Sequence, residues 1–145
     1  MFQHILIATD GSEIAAKAVN GGLKLAKTLA ARVVVMTASE PWHAFVNAET
    51  IAIHFPADEY ERATKEEAAR ILAEVRAEAV TLGIACETLH VSNFPAEAII
   101  ETAKANACDL IVMGSHGRRG IARLVLGSQA TKVVTLSAVP VLVCR

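Results

Sequence analysis

Four short apolar runs and one alternating run are separated along the chain by stretches with helical spacing. "HILIAT" (His4 to Thr9) is apolar almost without a break. A run of that kind fits a strand covered on both faces, as in a parallel sheet. It ends at "DGS", where Ser12 is a good helix N-cap. "EIAAKAVNGGLKLAKTLAA" follows, with Ile14, Ala18, Leu25 and Leu29 at helical spacing. Gly21 and Gly22 fall inside it and cost up to about 1 kcal/mol each in a helix. We read them as close packing of a helix on a sheet.

"RVVVMTA" (Arg32 to Ala38) predicts a second strand. From Ser39 to Pro56 the pattern lapses, and that stretch holds the only Trp, Trp42, with His43 and His54. No carboxylate or cysteine stands there at metal-ligand spacing, so we read a surface loop with a few apolar anchors. "DEYERATKEEAARILAEVRAEAVTLG" is the clearest helix, with acids first, Ile71, Val75 and Leu82 on one face, and Gly83 as its stop. "ACETLHV" alternates as a strand, and Pro95 opens a helix in "PAEAIIETAKANA". "DLIVM" is a fourth strand, "SQATKVVTLS" a helix with Ser128 near its start, and "VPVLVCR" a last strand. The order is β-α-β-loop-α-β-α-β-glycine loop-α-β. Such alternation implies an α/β fold with a doubly wound parallel sheet.

The 145 residues suit one domain, 1–145. Hydrophobic residues make up 53% and aromatic ones 4%, so the core is aliphatic. A net charge of -1 argues against a nucleic-acid binder, which would carry a basic excess. Cys86, Cys108 and Cys144 are odd in number and never spaced C-x-x-C, so we expect reduced, buried thiols rather than a disulfide or zinc framework. No signal-like leader and no apolar run of membrane-spanning length is seen. We expect a cytoplasmic protein with no membrane partner.

Half of the eight glycines lie between Met113 and Ala130, in "MGSHGRRGIARLVLGSQA". In doubly wound sheets, ligands bind beyond the carboxyl ends of strands, where the strand order reverses. Gly114 and Gly117 would let backbone N–H groups approach an anion. Gly127 and Ser128 would open a helix, whose first N–H groups are unpaired and sit at its positive end. Asp10, after the first strand, would suit ribose hydroxyls or an adenine edge. The spacing is G-x2-G-x9-G-S; neither G-x4-G-K-[ST] nor G-x-G-x-x-G occurs.

"ILIATDGSE", "DLIVMGSHGRRGIARLVLGS" and "VPVLVCR" together resemble the universal stress protein family, over the whole chain and in order. G-x2-G-x9-G-[ST] is that family's ATP-binding motif. The resemblance implies a five-stranded parallel sheet, order 3-2-1-4-5, of the adenine nucleotide α-hydrolase-like type. It implies ATP with Mg²⁺ as ligand. Thr9 and Asp10 would lie by adenine and ribose, with Met113 and Thr37 as walls of the adenine pocket. Gly114, Gly117, Gly127 and Ser128 would hold ribose and phosphates, His116 would lie near the phosphate path, and Gln129 would offer its backbone N–H. Thr37 stands where the family often has Val, and "SNFP" replaces a common Gly beside Asp or Asn. The resemblance also implies a homodimer through the C-terminal strand (Val139, Val141, Val143).

Individual side chains have plainer readings. Arg118, Arg119 and Arg123 flank the phosphate loop, and at least two of them are read as solvated. His116 has no carboxylate placed in sequence to orient it, His4 is read as a packed or edge histidine, and Lys17 and Lys24 as the wet face of a helix. Asp10 is singled out because an acid ending a buried strand is otherwise costly. The expectation is an ATP-binding stress or regulatory protein with hydrolysis slow at most, since no convincing base is present. The alternatives are a dimeric scaffold that binds no nucleotide and a nucleotidyl-transfer enzyme. The H-x-G-H and S-G-G-x-D-S motifs of the latter do not occur. A phospho-receiver is a poor fit, because the strand ends lack its pattern of Asp and Lys.

Overall fold

The computed structural model describes residues 1–45, 56–117 and 125–145. Five strands form one sheet in the order β3-β2-β1-β4-β5, with every neighbouring pair parallel. The strands are β1 (His4–Ala8), β2 (Arg32–Ser39), β3 (Cys86–Ser92), β4 (Leu110–Gly114) and β5 (Val141–Cys144). Among the described residues four helices alternate with them: α1 (Glu13–Leu29), α2 (Ala57–Leu82), α3 (Pro95–Ala105) and α4 (Ser128–Leu136). The order 3-2-1-4-5 is therefore observed.

The solid apolar runs follow from burial on both faces. Ile5 and Ile7 of β1 join a core with α1 and α2, while the intervening Leu6 and Ala8 join a second core with α3 and α4. β1 and β4 are buried at every position. β3 and β5 form the edges and are only half-buried. β5, Val141–Cys144, is shorter than "VPVLVCR" suggests.

Ser12 caps α1, its hydroxyl accepting from the Ala15 N–H at 3.3 Å. Gly83 ends α2 in a left-handed conformation, φ 72°, and Pro95 opens α3. The buried stripe of α1 differs from the expected one. It is Ala15, Ala18, Val19, Gly22, Leu23 and Ala26; Ile14, Leu25 and Leu29 lie at its flanks, half-buried. The reason is a close approach: a Cβ on Gly22 would stand 2.7 Å from Ile7 Cδ1. Gly21 meets only ordinary contact, 3.9 Å from Cys144 Sγ. Close packing thus accounts for Gly22 but not for Gly21.

In the described part of the 39–56 stretch, Trp42–Ala44 makes a short 3-10 turn and the Phe45 ring lies 5.5 Å from that of Tyr60. His54, and likewise Arg118, Arg119 and Arg123, lie outside the described residues. The three cysteines are unpaired. Cys108 is buried, which pushes its thiol up to about 11, but Cys86 and Cys144 are only half-buried, because they stand on the edge strands.

Candidate functional site

The sheet order reverses between β1 and β4, and both strands end on the same side of the molecule. After β1 the chain folds back on itself at once. Thr9 donates its N–H to Met36 O at 2.9 Å and accepts on Oγ1 from the Gly11 N–H at 3.2 Å. Asp10 Oδ1 accepts from the Ser12 N–H at 2.9 Å. Gly11 takes φ 78°, which a side chain would resist. Asp10 therefore helps to build the turn into α1 as well as lining the cavity.

β4 ends at Gly114 against the start of α1. A Cβ there would lie 2.9 Å from Ile14 Cγ2 and 3.3 Å from the Ile14 carbonyl carbon. Ser115 then donates its N–H to Cys144 O at 2.7 Å, and its hydroxyl lies 3.0 Å from His116 Nδ1. Gly127 donates its N–H to Ser115 O at 2.8 Å, so the two ends of the glycine loop are fastened together. A Cβ on Gly127 would stand 3.1 Å from that same oxygen, and one on Gly117 would stand 2.9 Å from Asp10 Oδ2. Gly114, Gly117 and Gly127 all lack positive φ. They are glycines because neighbours come close, not because the chain turns left-handed there, so Gly114 is first a packing residue.

Gly127 is the N-cap of α4 and Ser128 its first residue. The helix's first internal bond runs from the Thr131 N–H to Gly127 O. The N–H groups of Ser128, Gln129 and Ala130 have no helical carbonyl before them and point out of the positive end. The Gln129 side chain has other work: its Oε1 accepts from the Ala96 N–H at 3.1 Å, capping α3. Its backbone N–H remains at this end for a ligand.

All ten residues selected from the sequence line one cavity of about 900 Å³: Thr9, Asp10, Thr37, Met113, Gly114, His116, Gly117, Gly127, Ser128 and Gln129. Thr9, Thr37 and Met113 are themselves buried. The sequence reading missed the opposite wall, made by Ser39 and Glu40 at the end of β2, Phe45, and Tyr60, Thr64 and Glu67 of α2. By sequence alone the acids opening α2 fit helix-end charges. Nothing along the chain shows that this turn faces the end of β2, where the Tyr60 hydroxyl donates to Glu40 O. Among the described lining residues the charged side chains are Asp10, Glu40 and Glu67, all acidic.

The model of the universal stress protein family matches residues 1–145. The chain belongs to the universal stress protein family. It is 37% identical to a universal stress protein of Thermus aquaticus and 33% identical to universal stress protein YxiE of Bacillus subtilis, each alignment covering all of both chains. A universal stress protein solved in complex with cAMP matches with a TM-score of 0.73 at 26% identity, over 99% of this chain and 97% of that one. Solved relatives of this universal stress protein thus include a nucleotide complex. No helix among the described residues is long and apolar enough to cross a membrane.

Proposed function

We propose that this universal stress protein binds ATP with Mg²⁺ between the ends of β1 and β4 and acts as a cytoplasmic regulatory protein. The observation that carries the reading is the convergence of the ten residues on one cavity at the point of strand reversal. The cAMP complex of a relative supports it for nucleotides as a class. Thr37 and Met113 wall the base, and the Asp10 carboxylate meets ribose hydroxyls. Gly117 stands close against Asp10, where a Cβ would meet Oδ2 at 2.9 Å, so a larger residue there displaces the carboxylate that meets the ribose. Phosphates face the unbonded N–H groups of Ser128, Gln129 and Ala130. The Mg²⁺ would travel with the phosphates, since among the described residues no cluster of three acidic, His or Cys side chains is placed to hold it. When bound, the nucleotide supplies the charge that the helix end and the cation neutralise.

The lining supports binding more than turnover. His116 Nδ1 is engaged by Ser115 Oγ, a hydroxyl and not a carboxylate.

We infer a homodimer through β5, an edge strand that among the described residues pairs with β4 alone. Val139, Val141 and Val143 pack against the core of their own chain, so the strand offers a partner its backbone edge and Leu142, which is 41% exposed.

Thermal melting with and without millimolar ATP and Mg²⁺ tests the nucleotide reading. A ligand at one hundred times its dissociation constant stabilises by about 2.7 kcal/mol. A shift in wild type that is lost in Gly117→Val supports the reading. No shift, with no nucleotide carried through purification, favours the dimeric scaffold instead.

A further inference from the structure

We propose that Ser39 and His90 form a nucleophile–base pair at the β2/β3 end of the cavity, and that Ser39 Oγ accepts an acyl group from small esters. The two strands run in parallel register, with Thr37 beside His90 and Ser39 beside Ser92. Val33 and Val35 face the core under α2, so by strand alternation Thr37 and Ser39 face the same way. Leu89 and Val91 pack on the opposite core, which turns His90 toward α2 as well. Ser39 Oγ thereby lies 2.8 Å from His90 Nε2. That is the reach a general base needs for a nucleophile's proton.

Four further observations fit this chemistry. Ser39 lines the cavity, so a small molecule entering it meets the hydroxyl. The segment is held on both sides: Ser39 O accepts from the Asn93 N–H at 3.1 Å, and Glu40 O accepts from the Tyr60 hydroxyl. His90 is half-buried; burial first, and then the positive charge of Lys65 in α2, lower its affinity for a proton. The ring therefore stays neutral near pH 7. With its proton on Nδ1, Nε2 presents a lone pair to the Ser39 hydroxyl. Ala63, Ala68 and Ile71 on the α2 wall suit a short apolar acyl chain.

The step balances without any further reactant. Ser39 Oγ bonds to the ester carbonyl carbon while its proton passes to His90 Nε2. The bond from that carbon to the alcohol oxygen then breaks, and the alcohol leaves with the proton from His90. Water attacking the acyl group by the reverse route frees the carboxylic acid and restores Ser39. The proposal does not rest on ATP binding.

Intact protein incubated with p-nitrophenyl acetate, and separately with a fluorophosphonate probe, tests it by mass spectrometry and peptide mapping. We expect one adduct per chain, on Ser39, absent in Ser39→Ala. His90→Gln should slow labelling at least tenfold while the melting temperature shows the fold retained. Label confined to lysines, spread over several serines, or unchanged in Ser39→Ala overturns the proposal and leaves the pair as a fastening between β2 and β3. Mapping in the wild-type protein decides the matter alone if either variant fails to fold.

Discussion

Gly117 and Asp10 stand so close that a Cβ on Gly117 would lie 2.9 Å from Asp10 Oδ2. Gly114 is equally crowded, but by the carbonyl carbon of Ile14 at 3.3 Å as well as by its side chain. A carboxylate tip swings aside more readily than helix backbone. Gly114→Ala should therefore destabilise the fold by about 1–3 kcal/mol, as overpacking does. Gly117→Ala should leave stability nearly unchanged and weaken ATP binding by about tenfold, or roughly 1.4 kcal/mol. Denaturant melts and a binding titration on the same two variants check this; equal loss of stability in both would sink it.

Neighbouring glycines of α1 should answer in opposite directions. Gly21→Ala should stabilise by about 0.5–1 kcal/mol, because the new methyl meets open or ordinary contact and the helix loses a flexible residue. Gly22→Val should cost about 1–3 kcal/mol, because Ile7 Cδ1 is 2.7 Å from the new Cβ and Ile7 is fully buried. Urea midpoints at constant slope are the measurement.

Ala30 closes α1 with φ 53°, and its N–H reaches the Lys27 and Ala26 carbonyls. An L-residue with a Cβ is strained there, and glycine is the usual occupant. Ala30→Gly should raise stability by about 0.5–1 kcal/mol after allowing for the flexibility that glycine adds to the unfolded chain. A lower melting temperature would contradict the assignment of strain.

His90 should leave a mark on stability against pH. Burial, then Lys65, hold its pKa below the ordinary 6.5 in the folded protein. Below pH 6.5 the unfolded chain therefore binds more protons than the folded one at this site. Stability is full above that value and is lost as pH falls through it toward the lower folded pKa. The melting temperature of the wild type should fall more steeply between pH 7 and pH 5 than that of His90→Gln. Parallel curves would show that His90 contributes no proton linkage.

The sequence by itself determined the element order and the parallel sheet, and its strand ends and glycine spacing singled out Asp10, Gly114, Gly117, Gly127 and Ser128, whereas Thr9, Thr37, Met113, His116 and Gln129 came only from the resemblance to the family. The element order was legible because β1 and β4 are covered on both faces, which writes an uninterrupted apolar run, and the loop glycines because G-x2-G-x9-G-S stands in the sequence itself. Tertiary structure decided the rest. The inward stripe of α1 was misread toward Ile14, Leu25 and Leu29, since bulk marks a core face only where there is room for bulk; against Ile7 the helix comes too close for anything but small residues. Why each glycine is there was equally invisible, because the atoms that crowd Gly114 and Gly117 belong to Ile14 and Asp10, about a hundred residues away along the chain. The Ser39–His90 pair and the α2 wall with Tyr60 arise the same way, from strand register and helix packing that bring distant residues within hydrogen-bond reach.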